Sequence, residues 1–271
     1  MNFEILNPTN VVFEISMISS IIIAIILIKI QKIHQNQNSL AILTKSTGLF
    51  MIAMLIVNIF FAISHMDVLL GIYINREVLY AISYAFYFIL WILGINFFLN
   101  NIVRLPPDRV GRFRRTTNLL NFQLVFTFLL TIFTSGILRS VRENPHFGDL
   151  VEGSFALISQ GAIITFIYFY RQLGFELNKN SSKVIKARLQ LMRYSVLLQI
   201  VISLTVAVGT TVLLLNRYDD AYVEMYTFST ICILTVLCSL ILIWSINIPN
   251  RLRIRFNLTP SRFEYVLKSR T

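Results

Sequence analysis

The sequence predicts an all-α integral membrane protein: a seven-transmembrane-helix bundle with its N-terminus outside and its C-terminus in the cytoplasm. Three observations predict it. The 271 residues are 56% hydrophobic and only 14% charged, with a mean hydropathy of +0.70, whereas a soluble domain carries about 25% charged residues. The apolar residues gather into seven runs of 18–22 residues, each long enough to cross a ~30 Å hydrocarbon core as a helix. The basic residues gather between alternate runs, on one side only.

The runs lie at about 11–30, 43–64, 78–99, 119–138, 153–170, 194–215 and 226–246. None contains a proline; the six prolines stand at 8, 106, 107, 145, 249 and 260, where each breaks or opens a helix without interrupting a span. Residues 1–10 hold Glu4 and no basic residue, unlike a secretory leader. Positive charge follows the first run at Lys29 and Lys32, which places the N-terminus outside. With that orientation 20 of the 24 Lys and Arg residues fall on the inner side, and only Arg76, Arg139, Arg142 and Arg217 fall outside. Cytoplasmic loops carry such an excess of Lys and Arg. Residues 1–248 thus form one transmembrane domain and 249–271 a basic cytoplasmic tail.

The stretch 101–116 holds five arginines around Pro106 and Pro107 and reads as a tight cytoplasmic turn. The loop 171–193 places Lys179, Lys183, Lys186, Gln190 and Arg193 at alternating spacings of four and three, one face of a helix that starts before the membrane. Ser181 or Ser182 is positioned to cap it. Arg109, Arg112, Arg114, Arg115, Lys179, Lys183, Lys186 and Arg193 are therefore candidates for docking. Their partner is either the anionic lipid headgroups of the cytoplasmic side or a cytoplasmic signalling protein. Basic residues confined to short loops beside apolar runs do not indicate nucleic acid. In the tail, Thr259, Pro260, Ser261 and Glu264 signal a short interfacial helix over 260–269. Cys232 and Cys238, six apart on one helix, point in different directions and cannot bridge each other.

Candidate ligand-binding residues cluster in the outer half. Tyr80, Tyr84, Tyr87, Trp91 and Gly94 form one stripe of the third run, and phenol hydroxyls in hydrocarbon need partners, so the stripe faces the interior. Asn58 and His65, seven apart, share a face of the second run, and Gln160 lies in the fifth. Asn58, His65, Tyr80, Tyr84, Tyr87 and Gln160 then make one polar layer. It serves either interhelical hydrogen bonding or a small-molecule pocket open to the outside. In the sixth run Ser195, Gln199, Ser203, Ala207 and Thr211 recur every four residues, the small-residue pattern of close helix packing.

No HExxH, paired intramembrane acids or GxSxG motif occurs, so no catalytic residue, cofactor or metal site is expected. No charged residue sits near a helix centre, which argues against ion-coupled transport. Seven helices with the N-terminus outside resemble the general plan of G-protein-coupled receptors, microbial rhodopsins and prokaryotic seven-helix sensors. The motifs specific to those groups differ. Residues 226–247 hold no lysine for retinal, Asn100-Asn-Ile-Val-Arg104 stands where class A receptors have Asp-Arg-Tyr, and Asn247-Ile-Pro249-Asn250 stands in place of Asn-Pro-x-x-Tyr. The expected protein is a receptor or sensor of the plasma membrane that binds a small or lipid-like ligand from outside. A passive transporter or channel, or a structural subunit of a membrane assembly, is the alternative.

Overall fold

The computed structural model describes residues 8–36, 41–66, 76–102, scattered positions between 111 and 129, 145–179, 182–215 and 220–258. The regular elements are all helices: α1 (Pro8–Asn36), α2 (Ala41–Ser64), α3 (Arg76–Ile102), α4 (Pro145–Lys179), α5 (Lys183–Leu215), α6 (Asp220–Ile246) and the short α7 (Asn250–Arg255). The six long ones contain six of the expected runs. Of the run 119–138, the described positions are helical, and 130–138 lie outside the described residues. Pro8 and Pro145 open α1 and α4, where a missing N–H costs nothing and the fixed φ suits the first turn. Among the described residues four helical stretches are long and apolar enough to cross a membrane: Pro8–His34, Leu43–Ser64, Lys183–Gly209 and Tyr222–Ile246. Four such helices are the signature of a multi-pass membrane protein.

Apolar residues face outward as well as inward, and small hydroxyl residues are buried. On α1, Ile18, Ile21, Ile25 and Ile28 are exposed while Ser16, Ser19 and Ser20 are buried. Hydrocarbon is as apolar as isoleucine, so apolar residues lose nothing by facing it, while hydroxyls find partners only inside. Among the described residues α1 packs on α2, α2 on α3, α4 on α5 and α5 on α6, and α6 also packs on α1 and α2. Rings join α3 to α4: Trp91 meets Phe166 edge-on at 5.2 Å and Phe98 meets Phe169 at 5.8 Å.

At Gly94 of α3 the ring of Phe50 from α2 packs directly on the helix backbone. Phe50 stacks on Trp91 at 4.0 Å, and a Cβ at Gly94 would lie 2.5 Å from the Phe50 ring. Gly94→Ala is therefore expected to lower stability by about 1–3 kcal/mol through overpacking. Gly48→Ala, whose Cβ would meet nothing within 4 Å, is the matched control and should be neutral or slightly stabilising. Thermal unfolding in detergent reads both.

At 35 residues, α4 is about 52 Å long, well beyond a ~30 Å hydrocarbon core. It continues past its apolar run to Lys179, and α5 returns from Lys183, so the two project as one helical hairpin. Ser182 heads α5, accepting from Lys186 N at its carbonyl (3.0 Å) and from Ile185 N at its hydroxyl (3.5 Å). The sequence reading did not anticipate α7. It ends where Asn257 adopts φ 51° and Leu258 N donates to Arg253 O at 2.8 Å, a left-handed helix stop that asparagine tolerates. Leu252, Phe256 and Leu258 dock it on Ala187, Leu191 and Ile248. The expected tail helix over 260–269 lies outside the described residues.

Candidate functional site

A polar network runs through the middle of the bundle and ties five helices together. Its hub is Gln199 of α5, fully buried. The Gln199 side-chain carbonyl accepts from the Tyr87 hydroxyl of α3. Its amide donates to Cys238 Sγ of α6 at 3.0 Å and lies 3.5 Å from Met54 Sδ of α2. One turn further along α2, Asn58 Nδ2 donates to Met54 O at 2.7 Å and to Thr235 Oγ1 of α6 at 2.9 Å. Thr235 donates to Cys232 O, and Cys232 Sγ lies 3.4 Å from Ser16 Oγ of α1. Two buried atoms in this layer, Asn58 Oδ1 and Trp91 Nε1, have no hydrogen-bond partner among the described residues. An orphaned buried polar atom costs about 1–3 kcal/mol, so the arrangement is not at its hydrogen-bonding optimum.

Of the six candidate ligand residues, Asn58 and Tyr87 belong to this network. His65 is buried further along α2; its Nδ1 lies 2.8 Å from Phe61 O and its ring meets Phe228 edge-on. Gln160 does not join them: it is exposed on α4, because the face of α4 turned to the bundle carries Ala162, Thr165, Phe166 and Phe169 instead. The side chains of Tyr80 and Tyr84 lie outside the described residues.

Among the described residues an open groove of about 450 Å³ lies between α5 and α6, in the half of both helices remote from α7. Val201, Leu204, Thr205, Val208 and Val212 form one wall, and Val223, Tyr226 and Thr230 the other. Asn58, His65, Tyr87 and Gln160 are not among its lining residues. At its floor a Cβ on Gly209 would sit 2.6 Å from Thr227 Oγ1, so glycine lets the two helices close beneath an open mouth. A tight small-residue floor under exposed Val208 and Tyr226 is a pattern present in the sequence, but only the relative rotation of α5 and α6 aligns the two walls.

The basic candidates divide. Arg114 and Arg115 are exposed, and Arg109 and Arg112 lie outside the described residues. Lys183 is exposed, and Lys179 pairs with Glu176 at 3.5 Å. Lys186 is half-buried. Arg193 departs most from the expected open face: it is half-buried, with its guanidinium 4.2 Å from the Tyr170 ring of α4.

Fold and site together define a polytopic helical membrane protein organised around a buried amide hub. No protein-family model matches the chain, and no curated protein or solved structure is similar to it.

Proposed function

We propose that the chain is a seven-helix receptor- or sensor-like protein of the plasma membrane, N-terminus outside and C-terminus in the cytoplasm. It takes a lipid-like ligand from the outer side into the α5–α6 groove and signals to a separate cytoplasmic partner through the α4–α5 hairpin. One observation carries this reading: α5 is a single helix that does all three jobs. Residues 201–212 wall the groove, Gln199 anchors the network, and residues 183–193 carry the basic stretch ahead of the apolar run. A rotation or slide of α5 caused by a ligand necessarily moves both other parts. The orphaned Asn58 Oδ1 and Trp91 Nε1 supply a reason for two arrangements, since a shifted bundle that pairs them regains part of their cost. The 20-to-4 division of Lys and Arg supports the orientation.

The test uses a phosphatidylcholine with a photoreactive group on its acyl chain, incorporated into membranes holding the full chain. Adducts are expected to concentrate on residues 201–212 and 223–230. Val208→Trp, which fills the mouth of the groove, should reduce them roughly tenfold, the discrimination of a few lost apolar contacts. Adducts spread evenly over the exposed faces, including Ile18, Ile21 and Ile28 of α1, would show only bulk lipid and remove the ligand reading.

A further inference from the structure

We propose that Arg193, held between Tyr170 and Gly174, is a binding site for the phosphate of a membrane phospholipid headgroup. The guanidinium stacks on the Tyr170 ring at 4.2 Å, which fixes its plane. On α4, one turn beyond Tyr170, Gly174 lets the guanidinium lie close against the helix: a Cβ there would meet Arg193 Cζ and one Nη at 3.4 Å. Arg193 Nε is buried and has no hydrogen-bond partner, and the nearby acid of this hairpin, Glu176, is paired with Lys179. Among the described residues no carboxylate pairs with Arg193. A half-buried cation without an anion is costly, and a planar fork of donors matches a phosphate geometrically.

Position decides which phosphate. Tyr170 closes the apolar run 153–170 and Arg193 immediately precedes the run 194–215, so both stand where hydrocarbon gives way to headgroups. Tyrosine favours that level because its ring is apolar and its hydroxyl wet. A lipid phosphate is fixed at the same depth, whereas a soluble anion must leave water to reach it. The inference rests on α4 and α5 both crossing the membrane, which thiol labelling of the loops tests separately.

The experiment titrates phosphatidylglycerol into the full-length protein in neutral detergent and counts bound lipid by native mass spectrometry. Arg193→Gln is expected to weaken the tightest lipid roughly tenfold or more, the scale of one charge-assisted pair. Arg193→Lys keeps the charge but loses the fork, and should fall between them; it also serves if Arg193→Gln does not fold. Gly174→Leu, whose side chain would press on the guanidinium and displace it without changing charge, should weaken binding as well. Arg251→Gln, removing an exposed charge on α7, should not. Equal losses in Arg251→Gln and Arg193→Gln would mean general attraction and overturn the site. Displacement of the lipid by millimolar inorganic phosphate would overturn the lipid as its occupant.

Discussion

Gln199→Leu should lower the unfolding free energy by about 1–3 kcal/mol, although it conserves volume and adds an apolar group to an apolar protein. A hydrogen bond between membrane helices is worth only ~0.6 kcal/mol on average. Gln199 exceeds that because one amide serves three helices: its carbonyl accepts from Tyr87, and its NH2 meets Cys238 and Met54. Leucine removes all of these at once and takes from the Tyr87 hydroxyl, 3% exposed, its acceptor on α5. The full desolvation cost of the stranded groups then falls on the folded state. Tyr87→Phe alone should cost about 1 kcal/mol, and adding it to Gln199→Leu should cost almost nothing more. The shortfall from additivity measures the coupling across α3 and α5. Chemical or thermal unfolding of the four forms in one detergent reads the cycle. Additive losses, or a Gln199→Leu change below about 0.5 kcal/mol, would mean that the network merely occupies the core.

The helices were legible in the sequence because a membrane span is a one-dimensional signal. Length and hydropathy alone mark the runs that became α1 and α2, and no partner is needed to read them. The start of α5 at Lys183, ahead of its apolar run, was legible for a similar reason, since Ser182 and the basic periodicity both act locally. α4 came out longer than its run at both ends: its polar extensions have no apolar signature, and the outgoing one forms because it packs on α5. α7 escaped for a related reason. Its six residues, Asn250–Arg255, are stabilised by Leu252 and Phe256 reaching Ala187 and Leu191, far away in the chain.

The site was legible only in parts. Asn58 and Tyr87 were recognisable as interior because a polar group facing lipid has nowhere to place its hydrogen bonds. Gln199 was visible too, but as one member of a small-residue stripe. It is the one large amide in Ser195, Gln199, Ser203, Ala207 and Thr211, and its role as hub depends on Cys238 and Met54 facing it. Gln160 shows the limit. A glutamine in an apolar run looks interior, yet it is exposed on α4, because the rotation of a helix about its axis is decided by its aromatic face, here Phe166 and Phe169. Likewise Arg193 shared the spacing of an open basic face, and only Tyr170 on the neighbouring helix turned it inward.

The central claim, seven spans with the basic hairpin in the cytoplasm, is tested most directly by thiol labelling in intact cells with a membrane-impermeant reagent. The native Cys232 and Cys238 are both fully buried and contribute little background. His146→Cys and Asp219→Cys are expected to label in intact cells, since they follow the fourth and sixth runs on the outer side. Val110→Cys and Asn180→Cys are expected to label only after permeabilisation, since they sit in the arginine turn and at the tip of the α4–α5 hairpin. The effect is close to all-or-none, because the reagent either meets the thiol or is separated from it by the bilayer. Labelling at 110 and 180 in intact cells, with 146 and 219 protected, would contradict the orientation and the proposed direction of signalling.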